Sequence, residues 1–173
     1  MRMRIWVSDS LSFDSLFDWL ALTVQGRHNI RYAIYPHAGP LNYHTVRAGY
    51  NFNNPMHVKS HPSPSSVSSL LGALGITGAP GLVIDTVKRG EDDEDVSTGD
   101  LPCREGKNII VRIFDSVGGK STGTLNWGHF PVKKVFITNL LEDDLRQLDM
   151  TKDGKGVQIV VRAFEVLTLR LQL

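Results

Sequence analysis

The chain has 173 residues, 41% of them hydrophobic, enough apolar material for one sizeable core. Its 19 Lys and Arg stand against 18 Asp and Glu, and this near-neutral balance excludes the broad basic field that draws proteins to nucleic acid or anionic lipid. No apolar stretch is long enough to cross a bilayer as a helix, and a lone cysteine, Cys103, cannot form an internal disulfide.

The opening Met1-Arg2-Met3-Arg4-Ile5-Trp6-Val7 begins like a signal peptide, but Asp9, Asp14 and Asp18 interrupt the apolar region such a peptide needs. Up to Gly26, the residues Leu11, Leu16, Phe17, Trp19, Leu20 and Leu22 follow neither a period of two nor one of 3.6, so 1–26 is left unassigned. From Ile30 the pattern becomes short alternating segments, and 27–173 reads as one antiparallel β-sandwich with long loops, an all-β fold. Ile30, Tyr32 and Ile34 predict a strand that stops at Tyr35-Pro36-His37-Ala38-Gly39-Pro40, where two prolines deny ladder hydrogen bonds. Val46, Ala48, Tyr50 and Phe52 alternate with Arg47, Gly49 and Asn51 and predict a second strand, closed by Asn53-Asn54-Pro55.

His57 to Gly81 is rich in Ser and Pro and reads as a long connection within one sandwich, with an interdomain linker as the alternative. Strands resume at Leu82-Val83-Ile84 and Val87, at Ile109 to Phe114, and, after a turn at Gly118-Gly119, at Val132 to Ile137. The last two segments are the clearest. Val157, Ile159, Val161 and Ala163 alternate with polar residues, as do Leu167, Leu169, Leu171 and Leu173 with Thr168, Arg170 and Gln172, and Asp153-Gly154 supplies a reversal just before them. Short turns of helix are allowed at Ser68 to Ala73 and Glu142 to Leu148.

Several groups bear on chemistry. Cys103, between Pro102 and Arg104, reads as a loop thiol rather than a nucleophile, since no base accompanies it. Glu91 to Asp95 are five carboxylates in a row without the alternation and distal Glu of a calcium loop, and they read as a solvated acidic loop partly neutralised by Lys88 and Arg89. Lys88, Arg89, Glu91, Asp92, Arg112 and Asp115 are expected to form a structural ion-pair network at a strand end. Glycosidase chemistry needs two carboxyl groups facing each other across a cleft, which sequence neighbours on a turn cannot supply, so no catalytic residue is assigned. His57 and His61 have the spacing of helical zinc ligands, but Pro55, Pro62 and Pro64 argue against that helix, and His129 reads as a packing residue; no metal site is assigned. Trp127, Tyr35, Tyr43 and Tyr50 could stack on a sugar, but aromatic residues of a sandwich belong more often to its core.

Three ordered passages go beyond composition: Arg31-Tyr32-Ala33-Ile34-Tyr35-Pro36-His37-Ala38-Gly39, Asp85-Thr86-Val87-Lys88-Arg89-Gly90-Glu91-Asp92-Asp93, and Ala163-Phe164-Glu165-Val166-Leu167-Thr168-Leu169-Arg170-Leu171. Together with Val111-Arg112-Ile113-Phe114-Asp115 and Val135 to Leu148, they resemble the C-terminal β-domain of glycoside hydrolase family 38, the class II α-mannosidases, nearest the cytosolic and fungal vacuolar branch. The resemblance runs from about Gly26 to the C-terminus and implies an enzyme that removes terminal α-linked mannose from oligosaccharides, with a zinc-type divalent metal. In that family the metal ligands and nucleophile lie in a catalytic barrel to which no residue here corresponds. This piece is therefore expected to be an inactive buttress of that barrel, in the cytoplasm or vacuole, with Tyr35 and His37 as candidates for the active-site rim and Met1 as an artificial start. The alternative is a stand-alone sandwich that binds carbohydrate or protein. With the barrel absent, an apolar face carrying Val135, Ile137 and Leu167 to Leu173, or else the segment before Gly26, is expected to lie open to water and to drive formation of a homo-oligomer.

Overall fold

The computed structural model describes residues 31–54, 74–97, 103–128 and 130–173 together with the backbone of 5–7. Its contacts divide the chain into two compact units, Met1–Lys59 and Ser60–Leu173. His57 and His61, weighed and set aside as zinc ligands, the helical turn allowed at Ser68 to Ala73, the residue His129 and nearly all of the unassigned start lie outside the described residues.

In the first unit, β1 (Ile5–Val7) pairs antiparallel with β2 (Tyr32–Ile34). The second strand expected from Val46, Ala48, Tyr50 and Phe52 is instead helix α1, Tyr43–Asn53. The physical reason sits just before it. Asn42, in extended backbone, accepts hydrogen bonds from the N–H groups of His44 at 3.0 Å and Thr45 at 3.4 Å, capping donors that a helix start leaves free. An apolar series of period two also contains i, i+4 pairs such as Val46 with Tyr50, so once a cap is present it can be read as a helix face. Thr45 and Gly49, four apart, are the residues this helix buries.

The second unit is a sandwich of two antiparallel sheets. The larger has the order β4 (Leu82–Arg89), β5 (Asn108–Asp115), β10 (Val166–Gln172), β7 (Lys134–Thr138), β8 (Asp144–Leu148). The smaller has the order β3 (Gly75–Thr77), β6 (Ser121–Asn126), β9 (Gly156–Val161). The two most regular segments, β9 and β10, thus belong to different sheets. Between them, Val111, Ile113, Val135, Leu167, Leu169 and Leu171 of the large sheet meet Leu125, Val157, Ile159 and Val161 of the small one, with Trp127 buried beside them. The open apolar face expected on Val135 and Leu167 to Leu173 is therefore the core itself: the small sheet covers it, and Ile137 packs against it as well. Glu142 to Leu148 is not a helical turn, because Asp144–Leu148 pairs with β7 as an edge strand.

The turns follow local chemistry. Gly154 has φ +68 in the reversal before β9, where the Asp153 carboxylate accepts from the Lys155 N–H at 3.2 Å. Gly118 has φ +91, and a Cβ there would stand 2.4 Å from the Phe164 ring, so only glycine fits that turn.

The outer face of the large sheet departs from simple alternation. Thr168 and Arg170 of the central strand β10 are as buried as their leucine neighbours, and Ile110 on β5 is fully buried without belonging to the inter-sheet core. Two connections, β4–β5 and β7–β8, lie across this face, and the polar groups they bring form the candidate site.

Candidate functional site

Arg170 stands at the centre of the outer face, its guanidinium 4.4 Å from the centre of the Phe136 ring on neighbouring β7. Its Nε donates to Asp144 Oδ1 at 2.8 Å, its Nη2 to Asp144 Oδ2, and its Nη1 to Asn108 Oδ1 at 2.7 Å. Asn108 in turn donates its backbone N–H to Asp93 Oδ2 at 2.8 Å and its side-chain amide to Asp93 Oδ1. Asp93, fully buried, also accepts from Arg89, whose Nη2 lies 2.8 Å from it and 2.6 Å from Asp95. From the same connection, Arg104 bridges Asp92 at 2.6 Å and Asp144 at 2.9 Å, so the β4–β5 connection is fastened to β8 at the opposite edge of the sheet. Lys88 pairs with Glu91 and, at 2.7 Å, with the buried Glu142.

Of the residues singled out in the sequence, Lys88 and Glu91 thus lie together, whereas Arg89 takes Asp93 and Asp95 as partners and Asp92 takes Arg104. Arg112 donates to the Leu140 carbonyl at 3.2 Å. Asp115 stands apart from these ion pairs and organises a turn, accepting from the N–H groups of Gly118 at 2.7 Å and Phe164 at 3.2 Å and from Ser121 Oγ at 3.3 Å. Sequence reasoning missed Arg104, Asn108, Glu142, Asp144 and Arg170, and it read Asp93 within a solvated acidic loop, whereas Asp93 is fully buried because Asn108 and Arg89 satisfy its carboxylate. The buried Glu142 lies 51 residues from the Glu91 N–H it accepts, a separation that carries no local signal.

Burial works to raise the Asp93 carboxyl, but the hydrogen bonds from Asn108 and Arg89 outweigh it and hold the group below its ordinary range. Asp115 is likewise held down, against burial, by the N–H groups of Phe164 and Gly118. Burial would lower Lys88, yet the carboxylates of Glu142 and Glu91 raise it above its ordinary value. The two aspartates bind a proton less readily folded than unfolded, so the stability they contribute is present above the ordinary carboxylate value and lost as pH falls through the folded one. The melting temperature is therefore expected to fall once the pH drops below about 4. Asp93→Asn should flatten that fall, and a wild-type melting temperature independent of pH in the acid range would contradict the assignment.

In the first unit, Tyr35 and His37 stack with ring centroids 6.2 Å apart, beside a pocket lined by Pro36, His37, Ala38 and Gly39. Both ring nitrogens of His37 are buried without a hydrogen-bond partner. Trp127 offers no face to a sugar: it is fully buried, with Nε1 donating to the Gly154 carbonyl at 3.2 Å. Cys103 is exposed. The zinc-type metal implied by the resemblance finds no donor set among the described residues, where no three His, Cys, Asp or Glu side chains converge. Among those residues no helix is long and apolar enough to cross a membrane.

Residues 101–169 match the family model described as the glycosyl hydrolases family 38 C-terminal beta sandwich domain. The chain is 31% identical over 153 residues to an α-mannosidase of Saccharomyces cerevisiae, a match that covers 84% of this chain and 14% of that protein. It is 28% identical to α-mannosidase G of Dictyostelium discoideum, covering 84% of this chain and 12% of that protein. It is 27% identical to the human α-mannosidase 2C1, covering 86% of this chain and 13% of that protein. The chain thus spans about one seventh or less of the length of the curated relatives it matches.

Proposed function

Since residues 101–169 form a glycosyl hydrolase family 38 C-terminal β-sandwich domain, we propose that this chain is the C-terminal structural portion of an α-mannosidase, and that mannose hydrolysis takes place on polypeptide outside it. The observation that carries this reading is the coverage: 84% of the chain aligns with only 14% of the yeast α-mannosidase. The chemistry of the described carboxylates supports it. Asp93, Glu142 and Asp144 are each engaged by arginine, lysine or backbone N–H groups across the outer sheet face, whereas a glycosidase needs two carboxyl groups set across a sugar-sized gap. The substrate of the parent enzyme is then terminal α-linked mannose of oligosaccharides, its metal is of the zinc type and held elsewhere, and its compartment is the cytoplasm or vacuole, as in the branch the sequence most resembles.

The purified chain should not hydrolyse an aryl α-mannoside in the presence of added zinc or cobalt. Turnover that a chelator abolishes would overturn the reading. The alternative of a stand-alone carbohydrate-binding chain is favoured by one observation, in the first unit and outside its sandwich: the pocket beside Tyr35 with the unpartnered imidazole of His37. A saturable response of that imidazole to a mannose oligosaccharide in NMR would promote this alternative.

A further inference from the structure

The β7–β8 connection is turned inside out. In Asn139-Leu140-Leu141-Glu142-Asp143, the one residue that is buried is the carboxylate Glu142, 4% exposed, while Leu140 and Leu141 are 65% and 83% exposed. Leu145, on the bulged strand β8 that follows, is also exposed. Apolar burial alone would give the opposite arrangement, with leucines in and the carboxylate out.

The inversion is held by polar bonds from several elements. Asn139 Oδ1 accepts from the N–H groups of Leu141 at 2.9 Å and Asp143 at 3.0 Å, closing the turn. Arg112 on β5 binds the Leu140 carbonyl at 3.2 Å. Glu142 Oε2 accepts from the Glu91 N–H at 3.0 Å, and Lys88 on β4 lies 2.7 Å from Oε1. Glu142 itself has φ +71, a left-handed conformation that a residue with a side chain keeps only when its surroundings impose it. The result is a fixed apolar knob, whose ordering before contact lowers the entropic cost of any docking.

We propose that the Leu140–Leu141 knob docks into an apolar hollow on the part of the α-mannosidase polypeptide that lies outside the matched stretch. The proposal rests on the reading above. It takes the rest of the enzyme as occupant because the matched stretch is only 14% of the yeast relative's length, so the larger part of such a protein is available to cover the knob.

The test is a chimera in which this chain replaces the matched stretch of the yeast α-mannosidase, compared with the same chimera carrying L140S and L141S. In the isolated chain the double substitution should shift the melting temperature by no more than about 1 °C, since both side chains are exposed. In the chimera it should speed thermal loss of mannosidase activity by about ten-fold or more. L141K, which keeps the turn and adds a charge, should do the same. Equal inactivation rates in an active chimera would overturn the knob while leaving the functional reading in place. A dimer of the isolated chain dissolved by L140S and L141S would make a second copy the occupant and overturn the proposal as well. A chimera without mannosidase activity would overturn the functional reading, and the knob with it.

Discussion

Arg170→Ala is expected to destabilise the chain by about 1–3 kcal/mol, because it removes a buried guanidinium and leaves the buried Asn108 acceptor unpaired, while the part-exposed Asp144 keeps water and Arg104. Three bonds disappear at once: two to Asp144 and one to Asn108. So does the packing of the guanidinium on Phe136. Asp144 retains Arg104 at 2.9 Å, which limits the loss at that carboxylate, but Asn108 Oδ1 is left facing a cavity. The readout is chemical denaturation, with the midpoint lowered and the slope unchanged. Arg170→Met keeps much of the apolar packing against Phe136 and should recover part of the loss. A single-variant effect below about 1 kcal/mol, the level of an exposed pair, would show that water reaches this network.

Trp127→Ala should cost more, about 3–5 kcal/mol, for a different reason: it empties the largest fully buried side chain among the described residues. Trp127 follows β6, and its backbone N–H donates to the Lys155 carbonyl at 3.1 Å while its indole donates to the Gly154 carbonyl at 3.2 Å. The residue thus fastens the turn before β9 to the end of β6. Trp127→Phe keeps most of the apolar volume but removes the indole donor, and should cost about 1–3 kcal/mol if the Gly154 carbonyl stays dry. Thermal melts followed by circular dichroism separate the two contributions. Equal losses for alanine and phenylalanine would mean that the hydrogen bond, and not the packing, holds this corner together.

Periodicity, apolar runs and turn residues sufficed for the class of the fold and most of its described strands. Alternation placed β9 and β10, and short apolar runs placed β4, β5 and β7, each of which has one face in the inter-sheet core. Asp153-Gly154 and Gly118-Gly119 marked their turns through backbone conformations that few residues adopt. The ordered motifs from Arg31 to Leu171 pointed to the domain that the family match places at residues 101–169.

Partnership is settled only in three dimensions. Periodicity says which side of a strand is buried, not which strand lies beside it or what covers its other side. So β9 and β10, alike in pattern, join different sheets, and the supposed open face of Leu167 to Leu173 is closed by the smaller sheet. Arg170 reads as an outward polar residue and is buried, because Asp144 on β8, 26 residues before it, and Asn108 on β5, 62 residues before it, take up its guanidinium on a face that two connections cross. Glu142 reads as the start of an allowed helical turn and is the anchor that turns two leucines outward. The segment from Tyr43 to Asn53 reads as a strand until the Asn42 side chain closes the first turn of a helix. For Arg170, Glu142 and the helix the deciding contact is a directed polar bond, in two of them across a long stretch of chain, and such bonds leave no trace in a local apolar period.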